Sequence, residues 1–481
     1  MENVKNIPKY INDLSNLFEK TFKEKITAIE DIKSDGSNRK ILRLKNTNRS
    51  VVGFFGPDKS ENNAFVSFSK HFKNQSLPVP EIFAYEPLNK IYLETDLGNE
   101  TLFDFLEKHR KNSDLDSETI SYYKKSLKWL SFFQIKALEN FDFENCYPRQ
   151  AFDRQSIMWD LNYFKYYFAK LAGIPFNEEK LENDFILFSD FLVKTRSDFF
   201  LYRDFQSRNI MIKNNETWFI DYQGGRKGAL QYDVASLLYD AKADINPELR
   251  EELLIYYLFL PEIKKAISKE EFIAFYYPYV IIRIMQALGA YGLRGFYEKK
   301  THFLQSVPYA IKNLEWIIEN TNCLKEYSEM LKIFKRIISS SQLRQFTKRK
   351  LGLNLKIYSF SYKNGIPQDY SGHNGGFVFD CRCLPNPGKE EKYKELTGKD
   401  IEVIRYFEEK KEVSNFFDKA VSLIEQAVSN YSSRNFTDLS VCFGCTGGRH
   451  RSVYMADKLY SVFKGRKNIS PMVKHMELGK K

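Results

Sequence analysis

The chain has 481 residues, 43% hydrophobic and 28% charged, a balance that excludes a disordered polypeptide at a length sufficient for more than one domain. Lys and Arg outnumber Asp and Glu by 73 to 62, a net charge of +11, yet the surplus is local: the first 330 residues sum to −2 and the last 151 to +13. Six cysteines exclude a disulfide framework and make a reducing cytoplasm the expected setting, while no run reaches the ~20 apolar residues of a membrane span and the MENVKNIPKY start has no signal-peptide core.

Strands are predicted at 40–44, 51–55 and 91–95, separated by clusters of Gly, Pro, Asn and Asp, so the first hundred residues read as strands and turns. From residue 116 the pattern turns helical: Ile120, Tyr123, Leu127 and Leu130 recur at three- and four-residue spacing behind the caps Asp116 and Ser117. Helix runs on to about 325, broken by one strand–loop–strand block at 199–222, and its most apolar stretch, 276–293, is cut by Arg283. Residues 332–350 carry Lys332, Lys335, Arg336, Arg344, Lys348, Arg349 and Lys350 and mark a domain junction, either a solvated helix face or a nucleic-acid contact. Beyond it, strands fit at 355–361, 376–382 and 439–444. An amphipathic helix fits at 410–429, with Val413, Phe416, Phe417, Ala420, Val421, Ile424 and Val428 on one side. The fold class expected is α+β: a small β-rich lobe (1–100), a larger helical lobe (101–330), a basic linker (331–352) and a small α/β domain (353–481).

Residues 199–222 read FFLYRDFQSRNIMIKNNETWFIDY. An Asp, an Asn five residues on, and a second Asp after two apolar strands (209–213 and 217–221) are what phosphoryl transfer needs. Asp204 would accept the acceptor hydroxyl's proton, and Asn209 and Asp221 would hold Mg²⁺ against the crowded phosphates.

On LYRDFQSRNIM (201–211), FIDYQ (219–223), YDVASLLYDA (232–241), SDGSNRKILRL (34–44) and LETDLGNETL (93–102), residues 30–320 resemble the aminoglycoside-phosphotransferase superfamily. Within it the resemblance is nearest to the anomeric N-acetylmuramate and N-acetylglucosamine kinases. It implies a bilobal protein-kinase-like fold with ATP as phosphoryl donor. Asp204 would be the base, Mg²⁺ would sit on Asn209 and Asp221, and Asp233 would brace the catalytic loop. Ser34, Gly36, Ser37, Arg39 and Arg43 would face the nucleotide. The chain departs from the pattern at Tyr202, where such kinases usually carry His, and at Asp221-Tyr222-Gln223 in place of Asp-Phe-Gly. The third-strand lysine is absent from VVGF (51–54); Arg39, Arg43 or Lys59 would have to replace it, and without a replacement the kinase is weak or inactive. Segment 158–170 would wall the acceptor pocket, with Asp160 or Asn162 reaching sugar hydroxyls, unless it is an ordinary amphipathic core helix.

Residues 439–453, LSVCFGCTGGRHRSV, run from an apolar strand through a Gly-rich turn into a helix. Inward-turned amides at Gly444, Gly447 and Gly448, the helix N-terminus and the side chains of Arg449, His450 and Arg451 together make an anion site. Two rival readings stand beside it: a cysteine-dependent phosphatase loop, with Cys445 six places before Arg451, and a zinc site built from Cys381, Cys383, Cys442 and Cys445.

SFSYKNGIP (359–367), FVFDCRCLPNPG (377–388), LTGKD (396–400) and FGCTGGRHRSVYMADKL (443–459) make residues 341–481 similar to the C-terminal domain of RapZ-type RNase adapter proteins. That resemblance implies a sugar-phosphate pocket lined by Asp380, Arg382, Cys445, Thr446, Gly447, Gly448, His450, Arg451 and Ser452. It also implies a small-RNA contact through the basic tail, Lys464, Arg466, Lys467, Lys474, Lys480 and Lys481. Departures are the lack of a G-x-x-x-x-G-K-S/T loop in front, an insertion at 370–376 bearing His373, and Gly388 after Leu-Pro-Asn-Pro. Together the two resemblances point to a cytoplasmic ATP-dependent kinase of an N-acetylated amino sugar with a sugar-phosphate-sensing domain and no membrane partner. The alternative is a RapZ-like RNA-binding adapter with a weak or inactive kinase domain.

Overall fold

A computed structural model of the chain describes residues 8–32, 39–110, 115–346, 353–367, 376–433, 438–466 and 468–478. The chain divides into two compact units: residues 1–301 with 316–331, and residues 302–315 with 332–481.

In the first unit, α1 (Lys9–Phe22) carries Leu14, Leu17 and Phe18 at three- and four-residue spacing and buries them against one face of a sheet. Five antiparallel strands, β1 (Ala28–Ile32), β2 (Lys40–Lys45), β3 (Ser50–Phe55), β4 (Ile82–Glu86) and β5 (Ile91–Thr95), form it in the order β1-β2-β3-β5-β4. The helix α2 (Lys59–Asn74) follows β3 and is capped by Asp58, whose carboxylate accepts from the Ser60 and Glu61 amides. The strands expected at 40–44, 51–55 and 91–95 are present, but strands and turns alone do not describe this lobe. Both α1 and α2 add to the expected strands, each with apolar residues at three- and four-residue spacing: Leu14, Leu17 and Phe18 in α1, and Phe65, Phe68 and Phe72 in α2.

The helical lobe begins at α3 (Leu102–His109), whose Thr101 and Asp104 form a reciprocal capping box. Next comes α4 (Ser117–Gln134), capped by Asp116 as expected, then α5 (Arg154–Phe164) and α6 (Glu178–Leu192). Two short antiparallel ribbons follow: β6 (Phe199–Leu201) with β9 (Arg226–Gly228), and β7 (Ile210–Lys213) with β8 (Glu216–Phe219). The lobe continues with α7 (Leu230–Leu238), α8 (Pro247–Leu258), α9 (Pro261–Ala266) and α10 (Lys269–Gly292). Among the described residues one helical run, Lys269–Tyr297, is long and apolar enough to cross a membrane, and 67% of its apolar stretch is buried inside the protein. Its Arg283 is buried and donates from Nε to Ser236 Oγ at 2.9 Å, which explains a charge in so apolar a helix. One unit boundary precedes α11 (Val307–Asn320), at residue 301, and the other two fall within α11 and α12 (Ser328–Ser339).

The second unit holds α13 (Ser341–Arg344) and a four-stranded parallel sheet of β10 (Leu353–Ser361), β11 (Gly376–Asp380), β12 (Asp438–Cys445) and β13 (Ile469–His475), ordered β11-β12-β10-β13. The helices α14 (Ile401–Glu408), α15 (Lys411–Ser433) and α16 (Arg451–Phe463) complete it. All eight residues of β12 are buried, as a central parallel strand requires. The expected strand at 376–382 stops at Asp380, whose side chain caps a short turn at 381–383. The edge strand β13 was read only as part of a basic tail, since Pro471 and Lys474 interrupt its apolar residues.

Beneath this sheet lies a buried ion network. Arg344 bonds Asp438 at 2.6 Å and Glu315 at 3.3 Å, and Lys356 pairs with Glu315 and, at 3.4 Å, with Asp438. Two cations and two anions balance, which is the condition for tolerating such burial. Lys356→Met is expected to leave two buried acids sharing Arg344 and to destabilise the second unit by about 3 kcal/mol, read from urea unfolding of the whole chain. An unchanged midpoint would show that the network contributes no more than an exposed pair.

Candidate functional site

The catalytic-loop motif folds into a local hub. Asp233, at the start of α7, is fully buried and accepts the amides of Tyr202 at 2.8 Å and Arg203 at 3.0 Å. Burial pushes its carboxyl up to about 7 against those donors. The bonds hold a backbone that would otherwise relax, for Arg203 has φ +83° and Asp221 φ +69°. Tyr202 is buried and donates its hydroxyl to the Ile220 carbonyl at 2.6 Å, tying the loop to the residue before Asp221.

Asn209 and Asp221 come together. Asn209 Nδ2 donates to the Asp204 carbonyl at 2.8 Å and to Asp221 Oδ2 at 3.1 Å, so Asp204, Asn209 and Asp221 are joined through one amide. Burial and the neighbouring Asp204 both push the Asp221 carboxyl upward. Two acids held this way favour a cation between them, so the donor set fits Mg²⁺: Asp221 and the Asn209 amide oxygen would hold it, and it would neutralise phosphate charge.

Arg39 lies just before β2, buried, with Nη2 3.3 Å from Glu61 Oε1 on α2. Burial opposes its charge, but Tyr92, Glu61, Asp221 and Glu94 together outweigh this and raise its pKa. Gln223 Nε2 donates to Asp221 at 2.8 Å and approaches Glu61 at 3.5 Å, while Tyr222 stacks on Phe65 at 4.9 Å and bonds Ser69. Glu61, Glu94 and Gln223 were not singled out from sequence; the Asp58 cap was the available signal for α2 and hence for Glu61.

The structure does not bring Arg43 to this cluster. Its guanidinium is committed to Asp96 at 2.8 and 3.0 Å, to the Gly98 carbonyl and to Asn99. Lys59 begins α2 and is exposed, and Ser34, Gly36 and Ser37 lie outside the described residues. Asp160 is buried in a two-point pair with Arg203 at 2.6 and 2.8 Å, and Asn162 Nδ2 donates to the Met158 carbonyl at 3.0 Å.

In the second unit the Gly-rich turn follows β12 and leads into α16. Among the described residues no acceptor is recorded for the amides of residues 446–450, and a side chain at Gly447 would meet open space. Gly448 has φ +66°, and a Cβ there would lie 2.4 Å from Glu477 Cγ. Cys445 Sγ lies 3.2 Å from Ser452 Oγ, both buried. Arg451 spends Nη1 on the carbonyls of Arg382 at 3.0 Å and Leu384 at 3.3 Å, and Nη2 approaches Thr446 Oγ1 at 3.5 Å. Asp380 pairs with Arg382, which holds its carboxyl below the usual range, and Arg382 lies 4.1 Å over the Tyr362 ring.

Asp380, Arg382, Thr446, Cys445, Arg451 and Ser452 are therefore neighbours. His450 instead turns to the Tyr393 carbonyl at 2.9 Å and Arg449 to Glu395. Arg451 thus commits Nη1 to the 382–384 turn, while Nη2 stays beside the Gly-rich turn at Thr446. Among the described residues no three His, Cys, Asp or Glu side chains gather as a metal set, so the four cysteines form no zinc site. Of the basic tail, Arg466 pairs with Glu425 at 2.8 Å and Lys474 lies on β13. Lys467, Lys480, Lys481 and His373 lie outside the described residues.

Comparison with known proteins places a domain in each unit. Residues 166–267 match the phosphotransferase enzyme family, and residues 353–479 match the RapZ C-terminal domain. A nucleotide-binding protein of Thioalkalivibrio sulfidiphilus is 37% identical over 126 residues, 26% of this chain and 42% of that protein. The RNase adapter protein RapZ of Yersinia pseudotuberculosis is 38% identical over 135 residues, 28% of this chain and 46% of its own length. The chain thus spans less than half the length of these relatives. Among solved structures, choline kinase LicA from Streptococcus pneumoniae aligns over 60% of this chain and 91% of its own at 14% identity and TM-score 0.42. The ADP-bound aminoglycoside phosphotransferase APH(2'')-Ib aligns over 70% and 97% at 13% identity and TM-score 0.41. The first unit joins a five-stranded antiparallel sheet to a helical lobe that contains the phosphotransferase-family match, and the second is a parallel α/β domain.

Proposed function

We propose that the chain is an ATP-dependent kinase of an N-acetylated amino sugar, acting in the cytoplasm, with a second unit that binds an amino-sugar phosphate. The observation that carries the kinase reading is the Asp204–Asn209–Asp221 hub fastened by Asp233. In it Asp204 would take the acceptor hydroxyl's proton, Asn209 and Asp221 would hold Mg²⁺, and Arg39, whose charge interacts with Asp221, would face the phosphates. The acceptor follows from the pairing of the two domains: a kinase joined to a RapZ-like unit reads as amino-sugar salvage under feedback by a phosphorylated sugar. ATP turnover over a panel of N-acetylhexosamines and N-acetylmuramate, with ³¹P NMR to identify an anomeric phosphate, tests it. No turnover with any of them would reject the acceptor class.

For the second unit, the undirected amides of 446–450 and the Asp380–Arg382 pair are the supporting geometry. Gly448→Ala is expected to weaken amino-sugar-phosphate binding about tenfold, because the left-handed backbone costs an L residue roughly 1–2 kcal/mol and its Cβ would strike Glu477. Gly447→Ala, in open space, should bind like the parent. Calorimetric titration of both variants decides it, and equal affinities would remove the turn from the site.

A further inference from the structure

We propose that Glu94 reads the base edge of the nucleoside triphosphate and selects adenine over guanine; the inference rests on the kinase reading of the first unit. Side chains alternate along β5: Ile91 and Leu93 enter the core with α1, while Tyr92 and Glu94 face the other way, where Tyr92 stacks on Phe54 at 4.7 Å and on Phe65 at 5.3 Å. That is the face of Arg39 and Asp221, whose charges act on Tyr92.

Glu94 is 5% exposed, and its Oε2 has no hydrogen-bond partner among the described residues. A buried carboxyl oxygen left without a donor is unfavourable and rare in native structures. Burial raises this carboxyl to about 8, with Arg39 acting against the shift and Asp96 with it. An incoming donor would act as Arg39 does, restoring the charged form.

The position suits a base. Two residues beyond Glu94 the chain enters segment 96–101, which is fastened to β7: the Ile212 amide donates to the Glu100 carbonyl at 2.9 Å, and Thr101 bridges Met211. Asn209 of the metal-holding pair immediately precedes β7, so phosphates at Asp221 and a base at the end of β5 lie along one path. Two carbonyls of the joining segment are already taken, Asp96 by Lys213 at 2.7 Å and Gly98 by Arg43 at 3.0 Å. Val52, directly across from Glu94 on β3, adds apolar surface on the same face. At the 6-position adenine presents an amine, which would donate to Oε2 of the charged carboxylate; guanine presents a carbonyl oxygen there, which the charged carboxylate would repel and which only its protonated form would bind.

The test is calorimetric titration of Mg·ADP and Mg·GDP into the full chain for wild type, Glu94→Gln and Glu94→Leu. Wild type is expected to favour ADP by about tenfold or more; Glu94→Gln, whose amide can accept from adenine or, turned over, donate to guanine, should lose most of that preference with little loss of ADP affinity. Glu94→Leu should bring the ratio near one by weakening ADP, with the melting temperature of the nucleotide-free protein unchanged or raised. A ratio unchanged in Glu94→Leu, or both nucleotides weakened alike, would overturn the proposal and make Glu94 only a neighbour of Arg39. Wild type binding neither nucleotide would reject the kinase reading and this proposal together, whereas ATP turnover with an unaltered ratio would reject this proposal alone.

Discussion

Asp204→Asn is expected to lower phosphoryl transfer by about 10³-fold while nucleotide binding persists. The substitution keeps the size and most of the shape of the side chain and removes only its capacity to take a proton. Its carbonyl, which accepts from Asn209 at 2.8 Å, belongs to the backbone and is untouched, so the Asn209–Asp221 pair keeps its geometry. Asp221 is pushed upward by burial and by Asp204; taking away the second term favours its charged form, so Mg·ADP should bind as well as in wild type or better. A chain whose turnover falls with unchanged or tighter Mg·ADP binding has lost a base. Turnover within tenfold of wild type would remove Asp204 from that role and leave the adapter reading as the stronger account of the molecule.

How far the sequence disclosed this site depended on how far apart its parts lie in the chain. Tyr202, Asp204, Asn209 and Asp221 fall within twenty residues, and the turns and short ribbons between them are set by local contacts, so spacing alone was informative. Asp233 was reached through the superfamily resemblance, and its two amide bonds to the loop show why a buried acid belongs there. Arg39 and Glu61 were harder. Their pairing needs α2 to exist and to turn one face to the sheet, and the signal for that is local: Phe65, Phe68 and Phe72 at three- and four-residue spacing behind the Asp58 cap mark a helix but not the strand it packs on. Glu94 was less legible still, because strand alternation cannot distinguish an acid turned to solvent from one turned inward. The charge count shows the same limit: the +13 of the last third reads as a surface property, yet Arg344 and Lys356 are consumed by Glu315 and Asp438 inside the second unit, and Arg466 by Glu425. Asp438 and Glu425 are already counted in that +13, so among these partners only Glu315, which precedes the last third, lowers the surplus, to +12.

Arg39→Met should cost about 10²–10³-fold in turnover, the range for removing one preorganised charge from a developing anion, with a raised KM for ATP. The usual third-strand lysine has no room here. Phe54, inward on β3, lies 4.7 Å from Tyr92 at an interplanar angle of 7°, with Phe65 on α2 completing the stack. The cation enters from the neighbouring strand instead: the Arg39 guanidinium passes 5.9 Å from the Phe65 ring centre and reaches Glu61 at 3.3 Å. An arginine suits a site surrounded by Glu61, Glu94 and Asp221 because it stays charged when buried, where a lysine would tend to neutralise. Arg39→Lys should therefore recover only part of the loss. Glu61→Gln, which leaves the charge but loosens its position, should fall between wild type and Arg39→Met. If Arg39→Met turns over like wild type, the phosphate-side charge must come from another residue, because Arg43 is already held by Asp96, Gly98 and Asn99.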